Sequence, residues 1–407
     1  MTIQNKYGFA INPGDAPMNL SDFRRLCVYG EPEQVRAAIK NGVDLKEGGE
    51  YHYPILNLVA RRTESIKIIN IIKILIEAGI DVNAQSGSGE TALMAAVDEY
   101  KSDSRVINAL LDGGSDVGVM DDNGLMAIDY AVHPVHDEWS GMKNTDVFRR
   151  LREASSKWYF SVERTGSNTS GYSFANLCAW ETRQNIESAI KNGADVNARG
   201  KDRFKTLGNA DCGITALMMA AKYNDPEVAA VLLEAGADVD ARDNDGVTAL
   251  MMAAWHNKDP KIISVLLGGG ADIEARDKDG KTALMLPDYN YNLEIIAALL
   301  KAGANIEARD KYGWTILMRT AAFSGGSDVI AALLGAGSDV HARNIYGKTA
   351  LILAACHDNL EAIAALLEAG ADATLKDNAG LMAIDYAEEN PALQGTDILQ
   401  KLRGAGG

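Results

Sequence analysis

The sequence contains few cysteines, few aromatic residues and no apolar run that approaches the roughly 18 residues a membrane helix needs. The four cysteines lie far apart without CxxC spacing, which argues against a disulfide framework or a zinc knot: Cys27, Cys178, Cys212 and Cys356. The start of the sequence lacks a basic segment followed by an apolar stretch, so it does not predict a secretory signal. These absences predict a cytoplasmic protein with free thiols that is not bound to a membrane.

The chain also lacks an excess of positive charge. Its 40 Lys and Arg residues stand against 56 Asp and Glu residues, which gives a formal net charge of −16. A general nucleic-acid-binding protein would present a basic face, so this composition argues against that class. The acidic balance instead suits a protein partner with a basic surface, or serves only solubility. With 407 residues, 47% of them hydrophobic, the chain is too long for one core and too apolar for a disordered protein.

Internal repeats dominate what is present. A Gly-x-Thr-x-Leu segment recurs at intervals of 33 or 34 residues, starting at Gly213, Gly246, Gly280, Gly313 and Gly347. A second segment of the type LLxxGAD follows about twenty residues later in each unit, in the runs that begin at Val231, Val265, Ala298 and Ala332. A period of this length is typical of a solenoid, in which each unit buries its apolar faces against its neighbours.

Each unit reads as two short helices and a finger. Thr215 supplies a hydroxyl that can cap the first helix, and the apolar stripe from Val228 predicts the second. Gly236 would end that helix in a left-handed conformation. The alternating stretch from Asp238 ends in a Gly-containing turn, which predicts a hairpin-like finger.

The pattern resembles the ankyrin repeat family, whose motif reads D-x-x-G-x-T-P-L-H-x-A-A, then a second helix, then LL-x-x-G-A-D-V-N. Alanine replaces the proline of the family at Ala216, Ala249, Ala283 and Ala350, and Met or Ile replaces its histidine. Packing at Met251 must therefore replace the hydrogen bond that this histidine makes to the neighbouring finger. The resemblance implies an all-α ankyrin-repeat solenoid with β-hairpin fingers. It also implies a non-enzymatic module for protein–protein interaction that needs no cofactor.

Repeated end segments predict two capped arrays in tandem. Residues 23–27 and 174–178 share a pattern at an offset of 151 residues, and GLMAIDYA occurs at both Gly124 and Gly380. Terminal units of an array need an outer face that tolerates water, so two first-type and two last-type units indicate two arrays. The predicted boundaries are 19–158 for about four repeats, 159–169 for a linker and 170–405 for about seven repeats.

Some units depart from the pattern. Pro287 falls where the first helix of one repeat should continue, and a proline there shortens or kinks the helix. The finger from Gly200 and the loop from Pro134 are longer than those of other repeats. Loops that are long for their place often hold specificity.

Side chains that the scaffold does not require identify the candidate site. Finger tips and the ends of first helices face one concave groove, where we expect a protein partner to bind through Trp180, Tyr223, Trp255, His256, Tyr289, Tyr312, Trp314, Tyr346 and His357. Aromatic residues make up only 6% of the chain, so their concentration in these positions favours a binding surface. The competing interpretation is that some of the rings pack against neighbouring repeats.

No motif predicts catalytic, cofactor-binding or metal-binding residues. The glycines at Gly268 mark the end of a helix, because a phosphate loop needs strand–glycine–helix order. The segment from His133 to His136 lies in a proline-containing loop, which is a poor metal site. Three alternatives to a simple binding module stay open: a stoichiometric inhibitor that covers a toxic enzyme, as in bacterial arrays that this chain resembles; a spacer; and an enzyme acting near Arg203 and Lys205 or in the loop from His133 to His136.

Overall fold

The computed structural model separates into two compact units, one before residue 165 and one after residue 173. The structure describes residues 3–4, 10–11, 16–45, 53–62, 66–98, 104–132, 145–164, 174–200, 213–223, 225–257, 259–286, 292–323, 326–390, 393 and 396–405. The predicted boundaries of the arrays stay a prediction. A helix continues to Arg164, however, and so occupies the first part of the segment predicted as a linker.

The first unit is built from pairs of consecutive helices that contact each other. Its helices are α1 Leu20–Tyr29, α2 Pro32–Lys40, α3 Ile55–Ala60, α4 Ile66–Glu77, α5 Ala92–Asp98, α6 Ser104–Asp112, α7 Ala127–Val132 and α8 Asp146–Arg164. The two short strands β1 (Ile3–Gln4) and β2 (Ala10–Ile11) pair antiparallel. Helices α1, α3, α5 and α7 contact one another in sequence, and so do α2, α4, α6 and α8, which makes two parallel layers.

The second unit repeats this arrangement over more helices. These are α9 Phe174–Leu177, α10 Arg183–Lys191, α11 Ala216–Tyr223, α12 Pro226–Glu234, α13 Ala249–His256, α14 Lys261–Gly268, α15 Leu293–Lys301, α16 Ile316–Ala322, α17 Ser327–Gly335, α18 Ala350–Cys356, α19 Leu360–Glu368, α20 Ala383–Glu389 and α21 Asp397–Ala405. First helices contact first helices along the stack, and second helices contact second helices. The all-α solenoid predicted from the repeats is confirmed.

Alanine positions explain why the first helices approach so closely. Ala220, Ala253 and Ala354 lie on three first helices of the second unit, α11, α13 and α18, and are completely buried. Because alanine side chains are small, larger residues on the neighbouring helices fill the space between repeats, as Leu250 and Leu351 do. The hydrophobic core therefore runs continuously along the stack.

Threonine hydroxyls cap the first helices, as the sequence predicts. The Oγ1 atoms of Thr215, Thr248, Thr315 and Thr349 each accept a hydrogen bond from the backbone amide three residues later, at 3.3–3.4 Å. The repeat that begins at Thr282 is different, because its first helix is reduced to a 3-10 turn at Ala283–Met285. The buried Thr282 hydroxyl has no hydrogen-bond partner there. The predicted shortening before Pro287 agrees with this turn, although Pro287 itself lies outside the described residues.

Most fingers are tight turns and contain no paired strands among the described residues. Gly246 N donates to Asp243 O at 3.1 Å and Asp243 N donates to Val247 O at 3.0 Å, which reverses the chain as in a hairpin. Among the described residues of the second unit, only β3 (Arg199–Gly200) and β4 (Ile214–Thr215) form paired strands. The predicted β-hairpin fingers are thus hairpin turns in most repeats, because each arm is only two or three residues long.

Glycine is required at two places in each repeat. Gly236, with φ +90°, ends the second helix in the left-handed region, as predicted. Gly246 has φ +83° at the finger turn, and a Cβ atom there would lie 3.1 Å from Lys278 N of the next finger. The glycine therefore permits both the turn and the close approach of consecutive fingers.

Arginine side chains connect consecutive fingers. Arg242 Nη1 donates to Gly246 O in its own finger and to the backbone carbonyl of Arg276 in the next. Arg276 and Arg309 repeat the pattern, reaching the carbonyl groups of Arg309 and Arg343 at 2.6 Å. Met251 is completely buried, in agreement with the expectation that packing replaces the hydrogen bond of a histidine there.

Candidate functional site

The exposed candidate residues lie on the fingers and first-helix ends of the second unit. Tyr312 and Tyr346 stand at the turns of consecutive fingers, with 44% and 51% of their surface exposed. Ile345, which precedes Tyr346, is 56% exposed. Ile345 N donates to Tyr312 O at 3.1 Å, so the two finger turns lie directly side by side. Large apolar side chains therefore form one patch on adjacent fingers.

Other predicted residues divide between exposed and buried positions. Trp255 is exposed at the end of α13 and stacks on the half-buried His256, with ring centroids 4.7 Å apart. Trp180 and Tyr223, by contrast, are only 2% and 5% exposed, so the prediction of an exposed surface was wrong for these two side chains. They pack inside the stack, as the competing interpretation held. Tyr289 lies outside the described residues.

Trp314, Phe323 and His357 form an aromatic cluster that joins two repeats. The rings of Trp314 and Phe323 stack with centroids 5.9 Å apart, and the ring of His357 lies 5.7 Å from that of Phe323. Arg319 lies beneath Phe323, with its guanidinium carbon 5.7 Å from the ring centre. Stacked rings have few accessible rotamers, so this part of the surface is rigid before any partner binds.

A depression of about 440 Å³ opens beside this cluster. It is lined by aromatic, apolar and polar side chains of three consecutive repeats: Trp314, Asn344, Tyr346, Lys348, Leu353, His357, Asp377, Asn378, Ala379 and Tyr386. A cavity of this volume accommodates one or two side chains of a partner. The depression and the exposed finger residues thus form one continuous surface.

Lys348 and Asp377 are the charged groups of the depression. The Lys348 ammonium lies 3.3 Å from Cys356 Sγ and 4.1 Å from the centre of the Tyr386 ring. Burial lowers the pKa of Lys348, but the contacts with Cys356 and Tyr386 together raise it more, so the pKa is raised overall. Burial also raises the pKa of Asp377, whereas hydrogen bonds from Tyr386 Oη and from the backbone amides of residues 379 and 381 bring it below its ordinary value. Both groups are therefore charged at neutral pH.

Several residues of the site were not found from the sequence. Arg319 and Tyr386 follow a finger aspartate by nine residues and bind it: Arg319 lies 3.3 Å from Asp310, and Tyr386 Oη donates to Asp377 at 2.6 Å. Tyr130 binds Asp121 in the same way in the first unit, at 2.8 Å. This recurring spacing of nine residues is the sequence signal that could have identified them.

The described residues contain no group of three or more His, Cys, Asp or Glu side chains that could hold a metal ion. Cys27 and Cys178 are buried free thiols, and burial raises the pKa of Cys178 well above its ordinary value, as expected of structural cysteines. The loop at His133–His136, Arg203, Lys205 and Cys212 lie outside the described residues. Within the described ranges, no helix has both the length and the apolar character needed to cross a bilayer.

Comparisons with family models and with solved structures both identify ankyrin repeats. A family model for ankyrin repeats in three copies matches residues 176–277, 256–344, 284–377 and 319–404, and one for ankyrin repeats in many copies matches residues 75–131. The human ASB11 ankyrin repeat domain is 23% identical, with 57% of this chain and 97% of that chain covered and a TM-score of 0.49. The ankyrin repeat domain of Bcl-3, described as a unique member of the IkappaB protein family, is 25% identical, with 57% and 98% covered and a TM-score of 0.47.

Proposed function

The chain belongs to the ankyrin repeat family, whose repeats generally act as non-enzymatic modules for protein–protein interaction, and from this premise we propose that it binds one folded protein partner in the concave groove of its second array. The observation that supports this proposal is the continuous surface formed by the finger turns of residues 311–312 and 345–346 together with the depression beside them.

The composition of this surface fits a protein interface. Tyrosine and tryptophan are enriched among the residues that contribute most of the binding free energy at interfaces. Tyr312, Tyr346 and Trp314 stand on adjacent fingers, and Trp255 lies toward the beginning of the array. A standard interface buries about 800 Å² on each partner, which three or four adjacent repeats can supply.

We expect the depression to receive an anchor side chain of the partner. Its walls include rings from neighbouring repeats, and the ring of Trp314 is stacked on that of Phe323. A preformed pocket reduces the entropy lost on association. The proposed site of action is the cytoplasm, and the net charge of −16 by itself would attract a partner with a basic surface.

Affinity purification of the full chain from its own cells tests the proposal. A photo-crosslinking residue in place of the exposed Ile345 should capture one partner, and Trp314→Ala combined with Tyr346→Ala should remove it. Leu360→Ala is the matched control, because Leu360 is an exposed apolar residue on a second helix of the same unit. Circular dichroism must show that the double variant keeps its helical content. Capture that is unaffected by the double variant, or equally weakened by the control, would contradict the proposal.

A stoichiometric inhibitor is the alternative in which the partner is an enzyme and the groove covers its active site. The exposed rings that surround the depression would then exclude substrate. Adding the chain to the captured enzyme should abolish its activity at one equivalent. Activity that persists in the fully formed complex would exclude inhibition while leaving the binding module intact. An unchanged set of partners after the double substitution would instead favour a spacer.

A further inference from the structure

The charge of the candidate surface is opposite to that of the chain. The fingers of residues 276–281, 309–314 and 343–348 contain seven Lys and Arg residues and three Asp residues, whereas the whole chain has a formal net charge of −16. The seven cations are Arg276, Lys278, Lys281, Arg309, Lys311, Arg343 and Lys348. A partner experiences the local field of the surface it approaches, because charges beyond about 10 Å are largely screened at moderate salt.

Two of the three carboxylates in these fingers are already neutralised. Asp310 forms a buried ion pair with Arg319 at 3.3 Å, and Asp279 forms an ion pair with Lys311 at 2.6 Å. The third, Asp277, accepts hydrogen bonds from the backbone amides of residues 279 and 281. Asp277 is therefore the one carboxylate of these three fingers that no cation of the described residues neutralises, and their net charge stays positive.

The finger arginines keep their charge available to a partner. Arg276 and Arg309 donate to backbone carbonyl groups of their own and the next finger, and so does Arg343. Within the described part of the chain, these three guanidinium groups form no ion pair with a carboxylate, and neither does the exposed Lys278. Hydrogen bonds to carbonyl groups hold the side chains in place without cancelling their charge.

Lys348 is a half-buried cation on the wall of the depression. Its described contacts are the thiol of Cys356 and the face of the Tyr386 ring, and neither carries negative charge when the thiol is protonated. Asp377 also lines the depression. Its carboxylate accepts hydrogen bonds from Tyr386 Oη and from the amides of residues 379 and 381, and it attracts Lys348 electrostatically without forming a direct ion pair with it. A partly desolvated ammonium without an ion-pair partner is the kind of group that a carboxylate stabilises most.

We propose that the partner binds through an acidic protein surface, and that one of its Asp or Glu side chains enters the depression and pairs with Lys348. The flanking carboxylates of the partner contact Lys278 and the finger arginines, while its apolar side chains cover Tyr312, Ile345 and Tyr346. This inference rests on the proposed function for the location of the site. It reverses the sign that the net charge alone predicts for the partner.

Short labelled peptides of equal length and equal phenylalanine content test the chemistry without a known partner. One peptide carries glutamate, one glutamine and one lysine at the remaining positions. In fluorescence anisotropy at low salt, the full chain should bind the glutamate peptide more tightly than the other two. Hydrogen exchange should show protection of residues 345–348 and 378–381. Lys348→Gln should weaken this binding about tenfold, as expected for loss of one charge-assisted hydrogen bond, whereas Lys301→Gln on a second helix should change it less than about twofold.

Several outcomes would overturn the proposal. The first is tighter binding of the lysine peptide at these fingers, and the second is an unchanged affinity of Lys348→Gln for the glutamate peptide. A single-stranded oligothymidylate that binds the same residues at least as tightly would assign the cations to nucleic acid instead. If Trp314→Ala with Tyr346→Ala loses the cellular partner but Lys348→Gln strengthens its binding, the proposed function stands and the acidic partner is wrong. If the glutamate peptide binds as expected while no protein is captured, the preference of the surface for carboxylates stands and the proposed function is wrong.

Discussion

Replacing Arg319 by leucine measures what the buried ion pair of Arg319 and Asp310 contributes to the stability of the second unit. Arg319 Nη1 lies 3.3 Å from Asp310 Oδ2, and the two side chains are 9% and 1% exposed. Leucine preserves much of the apolar volume but removes the cation. The Asp310 carboxylate then keeps only the hydrogen bonds that its Oδ1 accepts from Tyr312 N at 2.8 Å and Trp314 N at 2.9 Å.

The expected loss is about 2 kcal/mol of unfolding free energy. Breaking a buried pair by removing one partner costs about 3–5 kcal/mol when nothing else stabilises the remaining charge. Here two backbone amides still donate to the carboxylate, so we expect a cost within the lower range of about 1–3 kcal/mol for an incompletely satisfied buried group.

The double substitution Asp310→Asn and Arg319→Leu provides the matched control. It reproduces the pair that the next repeat already has, since Asn344 and Leu353 occupy the equivalent positions and both are buried. Asn344 Oδ1 accepts from Tyr346 N at 3.0 Å and from Lys348 N at 2.9 Å, so the asparagine preserves the turn. We therefore expect the double variant to lie within about 1 kcal/mol of the original chain, because no buried charge remains.

Urea denaturation followed by circular dichroism measures the global effect, and hydrogen exchange of residues 309–322 measures the local one. Both are needed, because stacked repeats do not always unfold in one step. The reasoning is refuted if Arg319→Leu is as stable as the original chain. It is also refuted if the double variant is less stable than the single one.

Three further predictions concern stability. Thr248→Ala should lower the unfolding free energy measured in urea by about 1 kcal/mol, because it removes a helix cap. Thr282→Ala should be neutral or stabilising, because that hydroxyl is buried without a partner. Equal losses would contradict this. Gly268→Ala, at the helical end of α14, should stabilise the chain by about 0.5–1 kcal/mol. Gly270→Ala should destabilise it by about 1 kcal/mol, because residue 270 has a φ of +93°. Effects of the same sign would refute the argument that backbone conformation decides these two changes. Burial, aided by Glu90, raises the pKa of Tyr53 from 10.0 to about 12, so stability present below pH 10 should be lost as pH rises to about 12. Ultraviolet titration should show this late ionisation, and Tyr53→Phe should remove both it and the Tyr53 part of the stability loss.

The repeat pattern alone predicted most of the architecture. The period of 33 or 34 residues, the threonine caps and Gly236 each follow from local chemistry that a single unit contains. The extent of the fingers was less predictable. Alternating residues suggested strands, but each arm of a finger is too short to form a ladder of strand hydrogen bonds. Hydrogen bonds from backbone amides and from arginine side chains connect consecutive fingers instead.

The candidate site was predicted in outline and corrected in detail. Trp180, Tyr223 and Trp255 occupy related positions in their repeats, yet the first two are buried and the third is exposed. A repeat motif assigns a residue to a position, but the space left by the neighbouring repeats decides whether a ring packs or remains in contact with water. Arg319 and Tyr386 were missed for a related reason, because each acquires its role only by binding a finger aspartate nine residues away.

The sequence by itself determined the helices, their caps and the stack, because these depend on interactions within one repeat or between identical repeats. Only the tertiary structure decided which charges of the candidate surface are neutralised. A formal net charge of −16 is a sum over the whole chain, whereas a docking partner responds to charges within a screening length. Folding places Arg276, Arg309, Arg343 and Lys348 on adjacent fingers, and it neutralises Asp279 and Asp310 with neighbouring cations. The positions of the charged side chains, which the composition does not contain, therefore determine the charge that a partner meets at this surface.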